Sequence, residues 1–316
     1  MIEGCRGIRE CTIDGFARVN VFLGRNNAGK STILEALTRT FCALGGPEWT
    51  EARGVAIPYL WARARNEMLP QGQFDFWSNR LIHADASQLH VALAGTVGTW
   101  EWWQGVGGSQ RPTFPQQAAR ARIGVFLPTD VNDPGLERAL WKEIFAARRD
   151  RELMKDLEDV FQMPVDSLQM MPDGALLVGL PKYGVPIDGH GLGVRAVFRM
   201  MLLGIASQDG ILVVEEPDAH LHPEAIEALA RGLTRQAKER DIQLFLTTHS
   251  VECVRAFADA AEATPQDPQQ IHDWPFAAWY LIKGDDGTVA ARKLSKETVL
   301  GLDDSGTDVR FLDRFQ

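Results

Sequence analysis

Short uninterrupted apolar runs mark the last half of this 316-residue chain and thin out in its middle. Ile211-Leu212-Val213-Val214 and Leu244-Phe245-Leu246 read as strands buried on both faces, the pattern of a central parallel sheet. Val19-Asn20-Val21-Phe22-Leu23 has the β-branched and aromatic character of a third. Each run is followed by a helical pattern. Ile33, Leu34, Leu37, Phe41 and Leu44 share one face of a helix expected from Lys30 to about Leu44, stopped by Gly45-Gly46-Pro47. Pro223 opens another helix, with Ile226, Leu229, Ala230 and Leu233 inward. A helix starts near Ser250, and Leu192 to Ser207 is an apolar one. Strand alternating with helix predicts a doubly wound α/β core.

The middle is less regular. Leu89 to Leu93, Ile123 to Leu127 and Ala175 to Val178 are strand-like, and Pro134 to Phe161 reads as two helices joined near Arg148-Arg149-Asp150-Arg151. Residues 46–164 are therefore expected to form an inserted α/β or helical lid subdomain, between core segments 1–45 and 165–316. Trp279 to Ile282 and Thr288 to Arg292 flank Gly284-Asp285-Asp286-Gly287 and predict a hairpin, with the two acids in its turn.

Composition narrows the functional classes. The apolar fraction of 45% and charged fraction of 24% are globular, which excludes a wholly disordered chain. No apolar stretch reaches the ~20 residues of a membrane span. Arg6, Glu10 and Asp14 interrupt the start, so no secretory leader is expected. Cys5, Cys11, Cys42 and Cys253 have no metal or redox spacing and fit a reducing cytoplasm. A formal charge of −9 argues against a free-standing nucleic-acid coat, although local basic faces are present.

Candidate chemistry sits at the ends of the predicted strands. Gly24-Arg25-Asn26-Asn27-Ala28-Gly29-Lys30-Ser31 matches G-x-x-x-x-G-K-[ST] between a buried strand and a helix, the context such a phosphate loop requires. Its glycines let successive N–H groups turn toward phosphate oxygens, and the helix N-terminus adds a positive dipole end. Asn26, Asn27, Ala28, Gly29, Lys30, Ser31 and Thr32 are the candidate contacts to ATP. Lys30 neutralises the β- and γ-phosphates, and the Ser31 hydroxyl binds Mg²⁺. Glu215 and Glu216 follow a buried strand directly. Glu215 is the candidate partner of Mg²⁺ and Glu216 the candidate general base. His249 follows the next strand, placed to donate a hydrogen bond to the γ-phosphate. His220 and His222 invite a metal reading with the glutamates, but Pro223 starts a helix there and His222 is expected to cap it.

These pieces, with Gly191-Leu192-Gly193-Val194-Arg195, Glu215-Glu216-Pro217-Asp218-Ala219-His220-Leu221-His222-Pro223 and Thr248-His249-Ser250, resemble an ABC-type ATPase head. More narrowly, they resemble the ATPase module of the overcoming-lysogenization-defect (OLD) family and related RecF-like and SMC-like ATPases. The resemblance implies a homodimer on ATP binding, or a higher oligomer, with composite sites. Gly191, Gly193 and Arg195 would cap the γ-phosphate from the partner subunit. Glu215 stands where an aspartate is usual, and the signature is not Ser-Gly-Gly-Gln. The glutamine-loop position is unassigned, with the segment Pro128-Thr129-Asp130 as its candidate. No long coiled coil precedes Glu215, and the stretch after His249 is too short for the TOPRIM nuclease domain of OLD proteins. The resemblance thus implies an ATPase that controls a separate effector or nuclease, in bacterial anti-phage defence. A RecF-like DNA-repair ATPase and a non-hydrolysing ATP-switch scaffold are the alternatives. Aromatic and arginine residues near Trp49, Arg53, Tyr59, Trp61 and Arg63 suit either nucleic acid or a protein partner.

Overall fold

The computed structural model describes residues 1–45, 86, 88–95, 98–105, 110–113, 123–127, 134–171, 175–189, 191–263 and 275–302. The chain begins with a hairpin, β1 (Ile2–Cys5) and β2 (Ile8–Thr12), and then β3 (Val19–Gly24) leads into α1 (Lys30–Gly45). β4 (Gln88–Gly95), β5 (Gly98–Gly105), β6 (Gln110–Thr113) and β7 (Ile123–Phe126) follow. Next come α2 (Pro134–Ala146), α3 (Asp150–Phe161), and strands β8 (Ser167–Met170), β9 (Leu176–Gly179) and β10 (Gly184–Pro186). The last part alternates: α4 (Leu192–Ala206), β11 (Ile211–Glu215), α5 (Pro223–Glu239), β12 (Gln243–Thr247) and α6 (Val251–Ala263). It closes with β13 (Phe276–Lys283), β14 (Thr288–Lys293) and α7 (Lys296–Leu300). Among the described residues, no helix is long and apolar enough to cross a membrane.

One sheet of eleven strands carries the molecule, in the order β6-β5-β4-β1-β2-β14-β13-β3-β12-β11-β7. From β13 to β7 every pairing is parallel. The other half is largely antiparallel. β8, β9 and β10 form a separate antiparallel sheet.

The parallel strands are buried on both faces, and their period of two divides the core accordingly. Ile211 and Val213 of β11, Phe245 of β12 and Phe22 of β3 face α1, where Ile33, Leu34 and Leu37 pack. Leu212, Val214, Leu244, Leu246, Val21 and Leu23 face the opposite layer, where Phe198 and Met201 of α4, Leu229 of α5 and Phe257 of α6 pack. Alternate residues of one apolar run thus anchor two helical layers.

Described strands of the segment 46–164 lie in the same sheet as the strands of the flanking segments. β7 lies beside β11 in the parallel half, and β4, β5 and β6 extend the same sheet from β1. Trp141 and Ile144 of α2 and Leu153 and Leu157 of α3 join the core formed with α4 and α5. The physical reason is pairing at long range: β7 completes the row beside β11, and no local pattern near residue 123 announces that.

An ion network fastens α3 to α5. Asp156, 3% exposed, accepts from Arg235 Nη2 at 2.7 Å, from Arg240 Nη2 at 3.3 Å and from the Gln236 amide. Gln236 also reaches Met201 O of α4. Asp156→Ala removes the shared acceptor and is expected to cost about 2–3 kcal/mol, below the ~3–5 kcal/mol of a fully buried broken pair because Glu152 still faces Arg240. Urea unfolding midpoints check this; an unchanged midpoint would show the network to be neutral.

Candidate functional site

The C-terminal ends of β3, β11 and β12 lie side by side, the position where parallel sheets place ligands. Gly24 ends β3, and the loop from Arg25 to Gly29 feeds α1. Two of its glycines are required by geometry. Gly24 has φ +137°, and a Cβ there would meet Leu281 O at 2.7 Å. Gly29 has φ +100° and lies against Ile8. Asn27 also sits in the left-handed region, at φ 67°. The loop is therefore wound tightly, with Ala28 N donating to Arg25 O at 3.2 Å.

Lys30 is buried and its ammonium donates to Gly24 O at 3.0 Å and Arg25 O at 2.9 Å. Burial lowers its pKa to about 8, against the opposing pull of Glu216 and Glu215. Ser31, one turn-position on, donates from its hydroxyl to Glu215 Oε1. Thr32 is buried beside it. Ser31 and Glu215 supply hard oxygen donors of the kind Mg²⁺ takes when phosphate and water complete its shell. Among the described residues there is no group of three or more His, Cys, Asp or Glu able to hold a metal.

Glu216 lies half-exposed at the end of β11 with φ 44°, a left-handed conformation that a long side chain seldom adopts. Its N–H donates to Thr247 O at 3.0 Å, and its carbonyl accepts from Ala219 N at 3.1 Å. This turns the carboxylate toward β12, where His249 Nε2 stands 3.6 Å from Glu216 Oε1. Burial, then the Asp218 charge, raises the Glu216 pKa, while Lys30 pulls it down. Lys30, Ser31, Glu215, Glu216 and His249 are thus one constellation, drawn from three strand ends.

The Gly191–Arg195 segment lies elsewhere. Gly191 is the N-cap of α4, with open space where a side chain would go, and Leu192 is 50% exposed. A Cβ on Gly193 would meet His220 O at 2.7 Å. Arg195 points inward. Its Nε and Nη2 donate to the two Glu137 oxygens at 3.0 and 3.1 Å, which ties α4 to α2. The fully buried Arg199, 3.4 Å from Glu137, belongs to the same cluster. His222 is the N-cap of α5, but its carbonyl does the capping, accepting from Ala225 and Ile226, and its side chain makes no cap bond. Asp285 and Asp286 occupy the β13–β14 turn, where Asp286 Oδ1 accepts from Thr288. Cys5, Cys11 and Cys253 are buried and form no disulfide. The segment Pro128-Thr129-Asp130, and Trp49, Arg53, Tyr59, Trp61 and Arg63, lie outside the described residues.

Asp218 and Thr248 belong to the motifs quoted above, but the sequence assigns neither of them a role. Thr248 Oγ1 donates to Asp218 Oδ1 at 2.7 Å, joining the turns after β11 and β12. An acid in a loop and a threonine beside a histidine carry no spacing signal of their own.

Comparison with known proteins bears on the same elements. Residues 140–255 match the family described as "AAA domain, putative AbiEii toxin, Type IV TA system", and residues 1–51 match an AAA domain family. A curated relative, the uncharacterized protein MJECL11 of Methanocaldococcus jannaschii, is 33% identical over 64 residues. That match spans 20% of this chain and 56% of the relative's length. The structure is similar to an SMC head bound to the C-terminal winged-helix domain of ScpA, with 15% identity and a TM-score of 0.57 over 94% of this chain and 97% of that one. The SMC head domain from Thermotoga maritima gives 14% identity and a TM-score of 0.53 over 93% and 97%. The recombination mediator RecF gives 10% and 0.50 over 93% and 96%. The chain therefore has the fold of an ABC-type ATPase head, built on a P-loop NTPase core.

Proposed function

We propose that the protein binds and hydrolyses MgATP, and that it couples the nucleotide cycle to dimerisation and to a separate effector. The observation that carries this reading is the Ser31–Glu215 contact. It joins residues 184 positions apart at the mouth of a glycine-bound loop, with Lys30 buried beneath and Glu216 alongside. In this reading the Lys30 ammonium and the loop N–H groups hold the phosphates, and Ser31 with Glu215 would hold Mg²⁺, whose charge would stabilise the phosphate oxygens. Glu216 accepts the proton of the attacking water, and His249 donates to the γ-phosphate.

The exposed Gly191 and Leu192 at the start of α4 support the composite arrangement, since a helix N-terminus open to solvent suits an anion brought by a partner head. Arg195 stays with Glu137 in this reading and anchors the helix. The description of the matched family as a putative AbiEii toxin of a type IV toxin–antitoxin system is compatible with a role in bacterial defence alongside a second protein. The likeness to RecF supports a DNA-repair ATPase as the alternative reading.

Lys30→Ala tests the phosphate assignment. It removes a buried charged donor and is expected to weaken ATP binding on the order of 100-fold. Titration calorimetry with purified chain measures it, and equal affinities for wild type and variant would overturn the assignment.

A further inference from the structure

The turns that follow β11 and β12 carry Glu216 and His249, and two links hold them together. One runs from the Glu216 N–H to Thr247, to its carbonyl O at 3.0 Å and its Oγ1 at 3.4 Å. The other is the Thr248 hydroxyl to Asp218 Oδ1 at 2.7 Å, between residues 30 apart in sequence. Thr248 is fully buried and saturated. Its N–H donates to Phe22 O on β3 at 3.3 Å, and its oxygen accepts from Ser250 N at 3.0 Å. It therefore touches the phosphate-loop strand, the histidine turn and the acid turn at once. Beneath it lies Cys253, fully buried and within hydrogen-bonding reach of both Thr248 and Asp218. Burial, then the neighbouring Asp218 charge, holds that thiol well above its ordinary pKa, so it stays a neutral S–H group. Asp218 thus accepts from Thr248, with the Cys253 thiol close by on α6.

We propose that Asp218 is a positioning residue for hydrolysis: through Thr248 it fixes the turn that carries His249 relative to Glu216. The inference rests on the ATPase reading above. His249 Nε2 and Glu216 Oε1 are 3.6 Å apart, and the Thr248–Asp218 bond is a link between side chains of their two turns. Glu216 is held at a left-handed φ of 44°, a conformation that persists only where neighbours impose it. Removing the Asp218 acceptor breaks this side-chain link and leaves the Glu216 N–H on Thr247 O and Oγ1 to hold both groups in register. Displacement of a reacting group by about 1 Å costs on the order of 100-fold in rate.

The test compares steady-state MgATP hydrolysis and calorimetric ATP binding for wild type, Glu216→Gln, Asp218→Ala, Asp218→Asn, Thr248→Val and the Asp218→Ala/Thr248→Val double variant. Asp218→Ala is expected to lower kcat by ~10–100-fold while the ATP Kd shifts by less than about threefold. Asp218→Asn keeps an acceptor oxygen and should recover most of the loss. Thr248→Val should reproduce it, and the double variant should be no worse than either single one, because both break the same link. Losses in kcat that multiply in the double variant, or a Kd that weakens in step with kcat, would overturn the proposal in favour of a structural role. Turnover that depends on Glu216 but is untouched in Asp218→Ala would overturn it alone. Turnover independent of Glu216 would remove the reading on which it rests.

Discussion

Glu216→Gln is expected to lower MgATP turnover by ~100-fold or more while ATP binding persists. The substitution changes one oxygen for an amide and removes the carboxylate that lies 3.6 Å from His249 Nε2. The phosphate cradle is untouched, since Lys30 bonds to Gly24 and Arg25 and Ser31 bonds to Glu215. Burial, with the Asp218 charge adding to it, raises the Glu216 pKa from its ordinary value, which makes the carboxylate a stronger base than one in open water. Lys30→Ala has the opposite profile, losing binding first. Hydrolysis is read by phosphate release and binding by calorimetry. Equal turnover in wild type and Glu216→Gln would remove Glu216 from the chemistry and leave the chain as a nucleotide-binding switch.

The second large effect concerns assembly. MgATP is expected to double the solution mass of the Glu216→Gln chain, and Gly191→Asp is expected to abolish that doubling. Gly191 is suited to this test because nothing lies within 4 Å of a Cβ built there, so the side chain adds charge without disturbing the fold. A carboxylate at the N-cap of α4 would oppose a phosphate brought against that helix end by a partner head. Gly193 would be a poorer choice, since a Cβ there meets His220 O at 2.7 Å and any loss could be a packing effect. Light scattering with and without MgATP reads the result, with thermal unfolding as the control for folding. A Gly191→Asp chain that still dimerises on ATP would overturn the composite site, and a mass that ignores ATP in both chains would overturn dimerisation itself.

The elements legible from pattern alone were those with a strong local signal. The helix from Pro223 runs to Glu239 with Ile226, Leu229, Ala230 and Leu233 buried, as its spacing predicts. The run Ile211 to Val214 is a parallel strand, and the helix after the phosphate loop spans Lys30–Gly45. The hairpin around Gly284 to Gly287 forms, with Gly287 at φ 82°. β5 and β6 lack a clean alternation in their Trp-, Gly- and Pro-bearing stretch, and the short strands β1, β8 and β10 have no uninterrupted apolar run to announce them. β7 was seen as a strand, but its neighbour was not, because strand order is a property of contacts far apart in sequence.

The amino-acid sequence by itself determined the chemistry available at each strand end. A Gly-x-x-x-x-Gly-Lys-Ser loop dictates its own backbone, since only glycine tolerates the φ of +137° at Gly24 beside Leu281. Two acids directly after a four-residue apolar run must surface where that strand stops. Tertiary structure alone decided which of these groups meet. It brought Glu215 to Ser31 and His249 to Glu216, and it turned Arg195 inward to Glu137. It also created the Asp218–Thr248 link, which no spacing encodes. The reason is physical. Local conformation follows from each residue's own sterics and burial preference, whereas a hydrogen bond across 30 or 184 positions exists only once the sheet has set its strand order and register.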